Sequence, residues 1–183
     1  NELVFFHLEW LAVEDEIAER IANHPACSRY RHFLLAARRY RPHVLTEPEE
    51  KLLEETANTG RRAFTRLFDE FLSSMNFELE IDGARKEFNE SGVLALLHDA
   101  RREVRERAAT ALTKGLESNG LLLTYIFNVL AQDHALSDRL RRYSGPMESR
   151  HLANEIDGDT VRALIEACES HTDIVADYYR IKR

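Results

Sequence analysis

Apolar residues recur every three or four positions along almost the whole chain, and that spacing constrains the fold more than any other feature. Leu3, Phe6, Trp10, Val13, Ile17 and Ile21 form one wide stripe, which predicts a single helix ending at His24-Pro25. Tyr30, Phe33, Leu34, Ala37 and Tyr40 mark a second helix that stops before Pro42. Thr46-Glu47-Pro48-Glu49 reads as a capping box, with Pro48 in the first turn where its missing N–H costs nothing. The helix it opens carries Leu52, Leu53 and Thr56 and fades at Asn58-Thr59-Gly60, and another follows with Phe64, Leu67, Phe68, Phe71 and Leu72 as its core face. Ser91 and Asp99 are natural N-caps for two more helices, the second reaching about Ser118. Leu121 to Leu140 is the most apolar stretch and the expected most buried helix. Ser144-Gly145-Pro146 is a stop and the best candidate for a boundary. Beyond a short segment from Glu148 to Ile156, Asp157 caps a long last helix through Val161, Leu164, Ile165, Cys168, Ile174, Val175 and Tyr178.

The period changes once. Phe77, Leu79 and Ile81 alternate with Glu78 and Glu80, and Asp82-Gly83 supplies the two positive-φ residues of a type I′ turn. A two-residue loop then sets Phe77 opposite Phe88 and Glu80 opposite Arg85, an aromatic pair and an expected ion pair. The predicted class is all-α, about seven to eight helices with one β-hairpin at about 76–88. The expected domains are a helical lobe over 1–146 and the opening helices of a truncated second domain over 147–183.

A chain of 183 residues can bury a core without disulfides or a structural metal. Its net charge of −7 would repel phosphates and argues against nucleic-acid partners. No run approaches a membrane span, and the acidic start, with Glu9, Glu14, Asp15, Glu16 and Glu19, is unlike a signal peptide. Cys27 and Cys168 form no CxxC pair, which suits a reducing cytosol with each thiol a small buried hydrophobe.

Chemistry-bearing constellations are sparse. His7, His24, His32, His43, His98, His134, His151 and His171 include no His-Glu-x-x-His pair, so no hydrolytic zinc motif lies in the chain. His134 with Asp138, and His151 with Glu155, share a helix face at a spacing of four and could each hold one edge of a metal site; ordinary surface pairing is the simpler reading. The pair of Glu-x-x-His repeats that a di-metal bundle needs is missing, and no Gly-x-Ser-x-Gly elbow or glycine-rich phosphate loop occurs. Arg101, Arg102, Arg105 and Arg107 alternate with Glu103 and Glu106 as a solvated helix face would. Arg139, Arg141 and Arg142 sit where cations complement a helix C-terminus.

Four stretches, in order, resemble the oligoendopeptidase F family in the thimet-oligopeptidase group of zinc metallopeptidases. They are Arg31-His32-Phe33-Leu34 through Arg41-Pro42-His43-Val44-Leu45-Thr46-Glu47-Pro48-Glu49-Glu50-Lys51; Thr65-Arg66-Leu67-Phe68 into the hairpin; Asp99-Ala100-Arg101-Arg102-Glu103-Val104-Arg105; and Phe127-Asn128-Val129-Leu130 with Asp138-Arg139-Leu140-Arg141, then Pro146 to Asp157 and Tyr178-Tyr179-Arg180. His98 stands where the family usually has proline after its Leu-Leu run. The resemblance implies a cytoplasmic enzyme that hydrolyses short peptides in a deep channel, with zinc held by two histidines and a later glutamate beyond residue 183. It carries no catalytic, metal or substrate-binding residue onto this chain, which is expected to hold no zinc itself and to form part of the channel wall. An open-ended final helix would fit truncation, with self-association through the 158–182 helix as a consequence. The alternative is a stand-alone helical adaptor module that binds a protein partner.

Overall fold

The computed structural model describes residues 4–183, with side chains from Phe6 onward, so Leu3 lies outside the described residues. In chain order the helices are α1 (Val4–Ala12), α2 (Asp15–Ala22), α3 (Arg31–Arg38), α4 (Glu47–Ala57), α5 (Arg61–Ser74), α6 (Glu90–Leu96), α7 (Arg102–Ser118), α8 (Gly120–Leu140), α9 (Glu148–Ala153), α10 (Gly158–Ser170) and α11 (Thr172–Lys182). Strands β1 (Phe77–Ile81) and β2 (Ala84–Phe88) stand between α5 and α6, and short 3₁₀ turns occupy Pro25–Tyr30 and Arg41–His43. The chain divides into two compact units, 1–50 with 136–183, and 51–135.

The all-α reading with one hairpin holds, but the helices are more numerous than the stripes suggested. The stripe read as one helix from Leu3 to Ile21 is broken at Val13-Glu14, where Glu14 is extended. Two forces favour the break. Glu14, Asp15 and Glu16 suit the positive end of a new helix better than the middle of an old one. Arg38 meanwhile donates to the Trp10 and Val13 carbonyls at 2.9 and 2.7 Å, satisfying acceptors that the end of α1 leaves open. The last stripe also breaks, at His171. There Ser170 Oγ donates to the Ala167 carbonyl and Thr172 Oγ to that of Glu169, while His171 Nδ1 lies 2.7 Å from the Ala167 oxygen. Side chains that bond their own backbone in this way compete with helix continuation.

In the first unit the core is Trp10, Leu11, Ala18, Ala22, Leu34 and Ala37, edged by Val13, Cys27, Leu35, Tyr40 and Val44. Trp10 is fixed at both ends, its indole N–H donating to the Leu34 carbonyl at 2.9 Å and its ring lying under the Arg38 guanidinium. Cys27 is half-buried against this cluster and Cys168 on α10 is exposed, a correction to the reading of both thiols as buried. Asp157 caps α10 as predicted, accepting from the Thr160 amide at 2.7 Å.

In the second unit the hairpin has the predicted register, Phe77 opposite Phe88 and Glu80 opposite Arg85. Asp82 and Gly83 take φ of 56° and 75°, the pair of positive values that a type I′ turn needs. Phe77, Leu79 and Ile81 are buried with Met75, Val93, Val104 and Ala108, and Phe71, Leu72 and Phe88 pack on that cluster. The expected Glu80–Arg85 ion pair is replaced by Arg85 with Glu78, because the Arg85 side chain reaches the diagonal neighbour. Leu67 and Phe68, placed in the α5 core face, are exposed, and α8 is not the most buried helix. Ile126 is its buried apolar anchor, while Leu121, Tyr125 and Phe127 face solvent. Apolar residues all round a helix can be covered only on the side that meets a neighbour. N-caps also shift by two residues: Asn89, not Ser91, caps α6, and Arg101 precedes α7 with Asp99 accepting from its amide.

A Cβ added at Gly115 would stand 2.6 Å from Cε1 of the Phe77 ring, which is itself only 2% exposed and cannot swing away. Overpacking of about 1–3 kcal/mol should therefore outweigh the roughly 1 kcal/mol that alanine gains over glycine in a helix. Gly115→Ala should lower the stability of the hairpin unit in a denaturant melt, although an exposed helical glycine would show the opposite sign.

Candidate functional site

The densest long-range polar constellation within one unit joins the first turn of α4 to the last turn of α8. Glu50 lies in the acidic first turn of α4, and both its carboxylate oxygens accept from Arg141, at 2.7 Å from Nη1 and 2.9 Å from Nη2. This parallel fork is the geometry in which arginine binds a carboxylate best. The Leu45 amide donates to the same carboxylate at 3.1 Å. Arg141 Nη1 also donates to the His43 carbonyl at 3.3 Å, and His43 Nδ1 lies 2.9 Å from the Arg141 carbonyl oxygen. A carbonyl can only accept, so Nδ1 carries the hydrogen of that bond. The His43 ring stacks on Tyr143 with centroids 4.0 Å apart.

Local sequence explains how each part arrives. Pro42 shapes the 3₁₀ turn that presents His43. Thr46 opens α4 by half of the expected capping box: its amide donates to Glu49 at 2.9 Å, but its hydroxyl donates to that carboxylate too instead of accepting from the Glu49 amide. At the other side α8 ends in a Schellman turn, with Tyr143 N donating to the Asp138 carbonyl and Arg142 N to that of Arg139. Arg142 holds the left-handed position of this turn, φ 60°.

Electrostatics follow the geometry. The Arg141 fork, against some burial, holds the Glu50 carboxyl below the usual glutamate range. Burial raises the Tyr143 phenol, and the Ser144 side chain together with its amide lowers Glu148 nearby. The arrangement is a clasp in which both Glu50 oxygens are engaged by Arg141 and the Leu45 amide.

The sequence-predicted pairs lie on α8 and around α9. His134 is exposed and Asp138 buried on α8. Glu155 is held by His32 of α3 at 2.8 Å and by Arg39, the residue that follows α3, at 3.4 Å. Among the described residues no three His, Cys, Asp or Glu side chains gather as metal ligands. The arginines read as solvated faces are used more specifically. Arg107 donates to the Glu80 carbonyl at 2.9 Å, Arg101 to Asp82 at 2.7 Å, and Arg105 to the Asp99 carbonyl at 2.8 Å, pinning the hairpin to the start of α7. Sequence reasoning missed Glu50 with Arg141; the available signal was that both lie in stretches resembling one family.

A folded-state carboxyl held below its unfolded value contributes stability above the ordinary glutamate pKa and loses it as pH falls through the lowered one. Glu50→Gln should cost about 1.5–3 kcal/mol at neutral pH, the range for a hydrogen bond to a charged group. The gap between the two proteins in denaturant melts should narrow as the pH is taken below about 4.

Comparison with known proteins converges on one family. Residues 9–77 match the N-terminal model of the M3 peptidases, described as oligopeptidase F. Oligopeptidase PepF of Bacillus subtilis is 23% identical over 174 residues, 93% of this chain but 26% of that protein. Oligoendopeptidase-F of Enterococcus faecium superposes with a TM-score of 0.80 at 22% identity, over 96% of this chain and 34% of its own. A crystal structure from Chlamydophila abortus gives 0.80 at 17% identity, over 97% and 30%. These two superpositions speak for the fold alone. The chain spans about a quarter to a third of the length of these relatives. Its two clasp residues lie in the stretches that resemble the same family from opposite ends of the sequence. The chain is thus similar, along nearly its whole length, to the N-terminal portion of oligopeptidase F proteins.

Proposed function

We propose that this chain is the front lobe of a cytoplasmic, zinc-dependent oligoendopeptidase that hydrolyses short peptides. The observation that carries the reading is the likeness to Oligopeptidase PepF across 93% of the chain. In this reading residues 1–146 form one wall of a substrate channel and residues 147–183 open the catalytic part. A rigid wall narrows access, so extended peptides reach the reaction centre and folded proteins do not. Zinc would supply a Lewis acid and an activated water elsewhere in the polypeptide. This chain's contribution is shape: clamps such as Glu50–Arg141 and Arg38 hold the wall stiff at its helix ends.

The exposed side of α10 and α11 fits the same reading. Leu164, Ile165, Ile174, Val175, Tyr178 and Tyr179 are all at least half exposed, and such a patch is covered in most stable proteins. In the 183-residue chain by itself it becomes a surface for self-association.

Reading the coding sequence past codon 183 is the direct test. His-Glu-x-x-His in frame is expected, and the encoded protein should cleave a quenched fluorescent peptide, lose that activity to a chelator, and leave folded proteins intact. Residues 1–183 alone should not cleave the peptide. A stop codon without the motif, or chelator-resistant cleavage, sinks the proposal. Sedimentation of the 183-residue chain should show association that weakens with Ile174→Glu; a monomer at all concentrations, with α10 and α11 as protected from hydrogen exchange as the core, would refute the covered-face reading.

A further inference from the structure

A helix interior is stiff, since each residue there is tied by the ladder of i→i−4 bonds. Compliance belongs to helix ends, where four N–H or four C=O groups lack intrahelical partners. The first turn of α4 and the C-terminus of α8 are two such ends, and Glu50 and Arg141 join them.

The joint has more than one bond, and the bonds share atoms. One guanidinium serves both Glu50 oxygens and the His43 carbonyl, while the Arg141 backbone carbonyl faces the His43 ring. Arg141 is itself the residue after α8 from which the left-handed turn at Arg142 begins. Loss of the carboxylate therefore strips two acceptors from a half-buried guanidinium and frees it to leave His43 as well. Loosening at residue 50 reaches the end of α8, 91 positions away.

We propose that the Glu50–Arg141 clasp, backed by His43, is a coupling device that makes the first turn of α4 and the last turn of α8 open and close as one unit. It does not depend on the peptidase reading. Other groups crowd the clasp without replacing it: Glu49 is engaged by Thr46, Glu148 by Ser144, and Tyr143 by the His43 ring. His7 adds positive potential near Glu50 when protonated.

Residue-resolved hydrogen exchange on the whole 183-residue chain tests this with Glu50→Gln, which keeps the shape of the side chain. Exchange should quicken by about tenfold or more at both ends, in residues 50–53 of α4 and 138–143 after α8, while Leu79 and Ile81 in the hairpin keep their rates. Arg141→Lys retains the charge but not the fork, and should give the same pattern from the other side. Acceleration confined to the end that carries the substitution would overturn the proposal, reducing the clasp to two local contacts. So would equal acceleration at both ends and in the hairpin, the mark of global destabilisation.

Discussion

Arginine forks that reach backbone carbonyls at helix ends tie the described elements to one another. A helix terminus exposes acceptors that the helix cannot satisfy, and a guanidinium with five donors can serve several at once. Arg38 closes the end of α1 and fixes Asp15 at the start of α2, so two helices meet at one side chain. Arg105 and Arg107 do the same for the segment before α7 and for β1. Arg141 joins α4 to α8. Lysine could supply the charge at each place but not the planar fork.

These forks also settle what the two hydrophobic clusters cannot. The cluster around Trp10 and the cluster around Phe77 are non-directional: they favour burial without fixing the angle at which a chain end enters. The hairpin illustrates the division. Phe77, Leu79 and Ile81 set which face is inward, while Arg107 on the Glu80 carbonyl and Arg101 on Asp82 set where its edge and turn lie. A two-stranded sheet is marginal in water, so both are needed.

The same distinction explains what could be read in the sequence. The hairpin register was legible because a period of two and Asp82-Gly83 are local signals that agree. Helix starts were legible to within two residues, since several polar residues near Asn89 and Asp99 can cap equally well. The breaks at Glu14 and His171 were not, because the apolar stripe runs through both with little change of phase. What interrupts it is a distant arginine in one case and side-chain bonds to the backbone in the other. The clasp was the least legible feature. Nothing local to Glu50 or Arg141 indicates a partner 91 residues away, and only their separate likeness to one family links them.

The left-handed residue beside the clasp shows how firmly that joint is determined. Schellman turns usually place glycine where Arg142 stands, because a side chain there costs on the order of 1 kcal/mol. Here the surroundings leave the backbone no better course. Arg141 is held by Glu50 and His43, Tyr143 is held by the His43 ring and by its own amide on Asp138, and the residue between them must reverse the chain within one step. Strain of this size persists only where neighbours over-determine the conformation. Glu155 repeats the arrangement at the end of α9, with φ 54° and its carboxylate bound to His32 and Arg39. In both turns a charged residue sits where glycine would relax the backbone. At α8 the neighbours supply the tertiary contact, and at α9 the strained residue makes it itself. Helix ends in this chain are thus chosen for what they can be tied to, at a small cost in local backbone energy.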